Sequence, residues 1–154
     1  MSDGLVVGAE EGETRSSPLG GDVRFVLRGS DSGGALTALE VANPAGQGPP
    51  LHVHAAQDET ILILEGELRW RLGDQVQLAG PGAYVFVPRG VPHCFQVAPD
   101  GPARMLITFA PAGMEAFFER LSTMGDFDPV EFRAAAEQNG MKVVGPPLAE
   151  SHPL

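Results

Sequence analysis

The sequence is poor in cysteine, in lysine and in long apolar runs. Its single cysteine, Cys94, excludes an intrachain disulfide and a zinc finger built on cysteines. Lys142 is the only lysine, and a net charge of −10 comes with no basic cluster. This argues against nucleic-acid binding and against attraction to an anionic membrane. No apolar run approaches the roughly 18 residues of a membrane-spanning helix.

The start of the sequence also lacks the features of a secretory signal. Asp3, Glu10 and Glu11 lie there, and no basic start is followed by an apolar segment. We therefore expect a cytoplasmic protein. The length of 154 residues fits one domain with a substantial core.

Glycine and proline are abundant, with 20 and 14 residues respectively. They form turn signals at regular spacing between short apolar segments from residue 23 to residue 110. This predicts an all-β fold of short antiparallel strands, arranged as a sandwich or barrel. Residues 67–72 alternate between apolar and polar, as expected for a half-buried strand. Residues 61–64 and 84–87 are apolar throughout, which predicts that both of their faces are covered.

The pattern becomes helical after Pro111. Apolar residues recur at helical spacing from Met114 to Leu121, which predicts a helix packed on the β domain. Asp128 followed by Pro129 is a typical start for a second helix that ends near Gly140.

These patterns divide the chain into four segments. We expect a partly ordered N-terminal segment over 1–22 and a β domain over 23–111. C-terminal helices packed on that domain follow over 112–144, and a mobile tail occupies 145–154.

Only four histidines are present, and three of them follow one spacing pattern. His52 and His54 are two residues apart on a predicted strand, so both side chains point to the same face. A short loop can bring Glu59 beside them, and the direction of the next strand favours Glu59 over its neighbour Asp58. In an antiparallel arrangement His93 can close the cluster.

Three imidazoles and a carboxylate make a mixed nitrogen and oxygen site. It suits one divalent transition metal: Fe, Mn, Ni, Co, Cu or Zn. Tetrahedral zinc with four protein ligands would be structural, whereas a metal with more ligands would keep positions open for substrate or O₂. The ligands alone leave this choice open.

Two groups of residues carry a family resemblance. The spacing of the first cupin motif is matched by Gly46, His52, His54, Glu59 and Gly66. The spacing of the second cupin motif is matched by Gly82, Pro88, Gly90 and His93. Val97 replaces the asparagine that ends the second motif. The chain thus resembles the cupin superfamily, and more loosely the single-domain bacterial quercetin dioxygenase-like cupins.

The resemblance implies a cupin-type antiparallel β-barrel, also described as a double-stranded β-helix or jelly roll, with a C-terminal helical segment. It implies a metal held inside the barrel by His52, His54, Glu59 and His93, and it makes a homodimer the expected assembly. Metal identity varies widely across the family, and some members bind no metal.

Other side chains are candidates for lining a pocket around this site. Phe95 and Val97 share the strand face of His93. Further candidates, more often simple core residues, are Tyr84, Phe86, Trp70 and Ile107. Cys94 points away from His93 and is interpreted as core. Glu40 is interpreted as solvated, with a buried position near the metal as the alternative.

Three classes of function fit these residues. The first is a metal-dependent dioxygenase acting on a small aromatic or enolic substrate of the flavonol or diketone type, with Glu59 as ligand and as base. The second is an isomerase or cyclase acting on a polyketide-like intermediate without O₂. The third is a small-molecule-binding module without catalysis. Fold alone does not choose among them.

Overall fold

Eleven strands and three helices follow one another in the computed structural model, which describes residues 3–154. The strands are β1 (Glu13–Ser16), β2 (Asp22–Leu27), β3 (Thr37–Asn43), β4 (Pro50–His54), β5 (Asp58–Glu65), β6 (Leu68–Leu72), β7 (Gln75–Ala79), β8 (Tyr84–Val87), β9 (His93–Val97), β10 (Ala103–Ala110) and β11 (Met141–Pro147). The helices are α1 (Glu115–Ser122), α2 (Pro129–Gln138) and α3 (Leu148–Ser151).

The strands form two antiparallel sheets. One sheet has six strands in the order β1-β2-β3-β10-β5-β8, and the other has five in the order β11-β4-β9-β6-β7. The expected all-β jelly roll is confirmed. It takes the form of two facing sheets with free edges and not of a fully closed barrel.

Alternation along the strands fills the space between the sheets. On β5, Ile61 and Ile63 are buried while the residues between them are partly exposed, and β10 repeats this pattern with Met105 and Ile107. Because side chains on a strand point alternately to the two faces, each strand buries one row of apolar residues. The two inner rows make one continuous core.

Two helices cover the gap between one edge of each sheet. α1 contacts β1, and α2 contacts β11. The Asp128 carboxylate caps α2 by accepting the backbone N–H groups of Val130 at 2.9 Å and Glu131 at 3.4 Å, as the sequence predicts. Phe117 and Phe132 from the two helices join the core between the sheets. Within residues 3–154 no helix combines the length and the apolar character that a membrane crossing requires.

The two ends of the chain are more structured than the sequence patterns indicate. β1 pairs with β2 within the segment expected to be only partly ordered. β11 runs through Pro147, and Leu148 is fully buried against Leu51 and Cys94, so the segment after residue 144 is not a free tail. Proline is tolerated there because β11 is an edge strand. The outer face of β4 and β9 carries the apolar pair that Leu148 covers.

The expectation that both faces of residues 84–87 are covered is wrong. Tyr84 and Phe86 are 66% and 55% exposed, while Val85 and Val87 are buried. β8 is the edge strand of the six-stranded sheet and pairs only with β5. No second layer lies over its outer face in the described part of the chain, so an apolar sequence here does not mean double burial.

The carboxylate of Glu115 joins α1 to the β domain. It accepts the backbone N–H of Gly29 at 2.7 Å and that of Gly113 at 3.0 Å, and also the hydroxyl of Thr37, which is fully buried. Partial burial on its own raises the pKa of Glu115, but these hydrogen bonds outweigh it and lower the pKa below its usual value.

Replacing Glu115 by alanine should destabilise the fold by about 1–3 kcal/mol at pH 7, because the backbone N–H of Gly29 and the buried hydroxyl of Thr37 lose their acceptor. The N–H of Gly113 keeps only its second acceptor, the Thr37 hydroxyl at 3.1 Å. A carboxyl whose folded-state pKa is lowered stabilises the fold above its unfolded value of 4.5, and this contribution is lost as the pH falls through the folded pKa. The difference between wild type and Glu115→Ala should therefore shrink in acid. Urea denaturation at pH 7 and at lower pH measures it.

The control is Glu137→Ala, which removes an exposed carboxylate from α2. It should change stability by less than about 0.5 kcal/mol. Equal effects of the two substitutions would contradict the role given to Glu115.

Candidate metal centre

Three strands bring four side chains to one point between the sheets. His52 and His54 point inward from β4, and Glu59 points inward from the start of β5 in the opposite sheet. His93 begins β9 and lies directly opposite His52 in the pairing of β4 with β9. The four residues are all buried, with exposures of 1–7%.

The potential ligand atoms of these four residues converge. One nitrogen from each histidine and one carboxylate oxygen lie within 4.8 Å of one another. Glu59 Oε2 is 2.8 Å from His93 Nε2 and 3.3 Å from His54 Nε2. The rings of His52 and His93 are closest, with centroids 4.3 Å apart.

Backbone carbonyls fix the orientation of two of the imidazoles. His52 donates its Nδ1–H to the carbonyl of Pro50 at 2.8 Å, and His93 donates its Nδ1–H to the carbonyl of Val91 at 2.9 Å. A histidine held in this way directs Nε2 toward the centre, which is the arrangement seen around protein-bound metals. The rigid Pro49-Pro50 and Pro88–Pro92 segments therefore orient the ligands as well as turning the chain.

Burial and mutual charge determine the protonation of the cluster. Burial, together with the neighbouring His93 and His54, lowers the pKa of His52 to about 3, so this imidazole is neutral. Burial on its own raises the pKa of Glu59, but hydrogen bonding to His54 and His93 holds that pKa far below its usual range. Burial lowers the pKa of His93, but the hydrogen bond to Glu59 overrides this effect and raises it.

This donor set fits a divalent metal ion. Neutral His52 has a free lone pair on Nε2, and the ionised Glu59 supplies negative charge at a site where an isolated carboxylate would be costly to bury. Imidazole and carboxylate together suit the divalent transition metals from Mn to Zn and do not distinguish among them.

A narrow cavity of about 70 Å³ adjoins the cluster. Its titratable lining residues, within the described chain, are the four of the cluster; apolar side chains make up most of the remainder. The helical part of the chain contributes one side of it through Met114, which directly precedes α1, and through residues of α1 and α2: Phe117, Phe118, Leu121 and Phe132. A ligand here would face the cluster at one end and apolar surface along its length.

A family model for the cupin domain matches residues 39–109, which contain all four residues of the cluster. Residues 39–109 therefore form a cupin domain.

Quercetin 2,3-dioxygenase from Bacillus subtilis (strain 168) is 31% identical to this cupin over 87 residues. That match covers 56% of this chain and only 26% of the relative, so the chain corresponds to about a quarter of that enzyme. The similarity therefore concerns a domain and not the whole protein.

Two solved structures share the cupin fold of this chain. KdgF from Halomonas sp. has a TM-score of 0.63 at 18% identity, covering 72% of this chain and 98% of that one. The polyketide cyclase RemF from Streptomyces resistomycificus has a TM-score of 0.53 at 24% identity, covering 70% and 74%. At these identities the likeness concerns the fold alone.

The candidate pocket residues of this cupin do not all lie at the cavity. Trp70, Phe95 and Ile107 line it, and the rings of Trp70 and Phe95 are 4.9 Å apart. Val97 is fully buried in the core without lining the cavity. Tyr84 and Phe86 point away from it on the outer face of β8, because the inward positions of that strand belong to Val85 and Val87.

The structure distinguishes the three acidic residues considered for the centre by the direction of their side chains. Asp58 points outward and pairs with Arg89 at 3.1 Å, which lowers the pKa of its carboxyl. Glu40 lies on the outer face of β3 between Arg24 and Arg104, at 2.9 and 2.8 Å. Of the acidic residues considered, only Glu59 reaches the histidines.

Sequence reasoning missed two polar residues of the cavity, Ser17 and Asn43, and of these Asn43 is buried. The sequence places it in a loop, whereas it is the last residue of β3, 5% exposed and part of the cavity lining. The signal was present: Thr37, Leu39 and Val41 alternate inward, and the same period of two continues to Asn43.

Replacing His52 by alanine should abolish stoichiometric metal binding, because a buried nitrogen ligand and its fixed orientation are lost together. Elemental analysis after reconstitution with each candidate metal measures this, and the rise in melting temperature on metal addition should disappear as well.

His152→Ala is the matched control, because His152 is the one histidine outside the cluster and its side chain is exposed. This variant should bind metal as the wild type does. Full metal content in His52→Ala would contradict the assignment of the centre.

Proposed function

We propose that this cupin is a metal-dependent dioxygenase that acts on a small enolic substrate. The observation that carries the proposal is the buried cluster of three histidines and one glutamate opening onto a cavity with no other titratable lining residue in the described chain. The 31% identity to quercetin 2,3-dioxygenase over 87 residues supports the same chemistry.

The cavity favours a slender, neutral substrate. No lysine or arginine lines it within residues 3–154, so nothing there offsets the charge of a phosphate or a second carboxylate. Its volume of about 70 Å³ is small for the fused rings of a flavonol. The diketone type therefore fits better than the flavonol type among the substrates that the sequence suggests.

Glu59 is the residue proposed to move the proton. Its carboxylate is held ionised at the centre, within 3.3 Å of two imidazoles. From there it can accept the proton of an enolic hydroxyl that lies against the cluster. A divalent metal held by His52, His54, Glu59 and His93 would supply Lewis acidity, which makes that hydroxyl more acidic and orients the substrate toward O₂. The apolar walls exclude water from the enolate.

A second candidate, an isomerase or cyclase, rests on the same base. Proton removal by Glu59 is sufficient to rearrange an enolisable compound without O₂. The neutral, partly aromatic walls of the cavity also suit a polyketide-like compound. The two candidates differ in whether O₂ is consumed.

Metal-reconstituted protein should consume O₂ when 2,4-pentanedione is supplied, with at least one metal of the series Fe, Mn, Co, Ni, Cu and Zn. Glu59→Gln should lower the rate by at least about 10²-fold, because the base is lost while most of the side-chain volume stays. An oxygen electrode measures uptake, and Glu67→Gln, at an exposed position just before β6 and outside the cavity, is the control.

Absence of O₂ uptake with every metal, in protein shown to hold that metal, would overturn the dioxygenase proposal. Turnover of the substrate under strict anaerobiosis would favour the isomerase or cyclase. Tight binding without turnover under either condition would indicate a binding module.

The homodimer expected from the family resemblance has an available surface. Tyr84 and Phe86 expose their rings on the outer face of β8, next to Leu62 on β5. We propose that a second copy covers this face.

Phe86→Glu should convert a dimer to a monomer in light scattering coupled to gel filtration, because burying the new carboxylate is costly. Val130→Glu, at an exposed apolar position on α2, should not. A monomeric wild type would contradict the proposal.

A further inference from the structure

Outside the metal cluster, two cavity-lining residues carry a buried nitrogen donor that has no hydrogen-bond partner in the described part of the chain. These donors are Nε1 of Trp70 and Nδ2 of Asn43. Trp70 is 1% exposed and Asn43 is 5% exposed, and both residues line the cavity. Buried donors are almost always paired in native proteins, so an unpaired donor at a cavity wall calls for an acceptor supplied from within the cavity.

Both donors lie beyond the metal cluster. Trp70 pairs with Phe95, which is two residues after His93 on β9. Trp70 therefore lies about 7 Å from the level of His93, measured along the strands. In the other sheet, Thr37 and Phe109 lie in register with Glu59. Asn43 is at the opposite end of β3 from Thr37, so it lies further from the cluster than Trp70 does. The cavity thus has the metal cluster in one region and two hydrogen-bond donors, from Trp70 and Asn43, in another.

No neighbouring group in the described part of the chain accepts a hydrogen bond from the indole N–H of Trp70. Phe95 covers one face of the ring at a centroid distance of 4.9 Å. The facing side chains of the cavity around it are mainly apolar. A phenylalanine at this position would fill an apolar wall without leaving an unpaired donor. A tryptophan instead favours ligands that bring a hydrogen-bond acceptor into the cavity.

We propose that Trp70 determines specificity by donating its indole N–H to a carbonyl or hydroxyl oxygen that the substrate carries beyond the oxygens bound at the metal centre. The inference rests on the proposed function for the role of the metal end. It narrows the substrate class to slender enolic compounds with a third oxygen, such as tricarbonyls, over simple diketones. The unpartnered amide of Asn43 offers a second donor along the same cavity.

A pair of ligands that differ by one oxygen tests this directly. The ligands are 2,4-heptanedione and 2,4,6-heptanetrione, and the variant is Trp70→Phe, which deletes the N–H and keeps an aromatic ring. Binding is measured by calorimetry on Zn²⁺-loaded protein with O₂ excluded, so that the result is independent of turnover. Wild type should prefer the trione by about tenfold, and the preference should disappear in Trp70→Phe while the affinity for the dione changes little.

Trp70 is the only tryptophan, so its indole resonance in a ¹⁵N spectrum reports the contact without mutation. The trione should shift the indole proton downfield and the dione should not. Leu78→Ala, a change of an exposed side chain on β7 outside the cavity, is the control and should retain the tenfold preference.

Four results would overturn the inference. They are no binding of the trione, no preference for it in wild type, an equal preference in Trp70→Phe, and an indole proton that the bound trione leaves unshifted. A trione preference that depends on Trp70, in protein that never consumes O₂, would support the inference while removing the dioxygenase proposal, so the two can fail separately.

Discussion

A single carboxylate buried among three imidazoles is the constraint around which this structure is organised. Glu59 comes from one sheet and the histidines from the other, so the cluster ties the two layers together at their centre. A buried carboxylate is costly unless it is paired, and its partners must come from strands far apart in sequence. The register that places His52 opposite His93 is therefore as important as the residues themselves, because a slip of one position would turn a ligand outward.

The centre and its strand face could be predicted from the sequence because both depend on local rules. The spacing of His52 and His54 fixes a shared direction, and turn residues fix where each strand ends. The surroundings could not be predicted in the same way. Tyr84 and Phe86 look like core residues, but their burial depends on whether another layer lies over β8, which no local pattern encodes.

At the C-terminal end, a segment with the composition of a loop is packed and paired, which local sequence patterns also did not predict. Gly145, Pro146 and Pro147 have the composition of a loop, yet they continue β11 and deliver Leu148 to an apolar patch on β4 and β9. The packing energy of one leucine overrides weak strand propensity there. Asn43 was missed for a simpler reason, since a polar residue at the end of an apolar alternation is easily assigned to the following loop.

The helical cover belongs to a different part of the chain from the metal ligands. The four residues of the cluster lie between residues 52 and 93, whereas one wall of the cavity is supplied by α1 and α2, after residue 114. The cluster and the helical wall of the cavity are thus carried by separable pieces of sequence. The helices could be exchanged or redesigned to admit differently shaped compounds while the reactive centre, and the strands that hold it, remain unchanged.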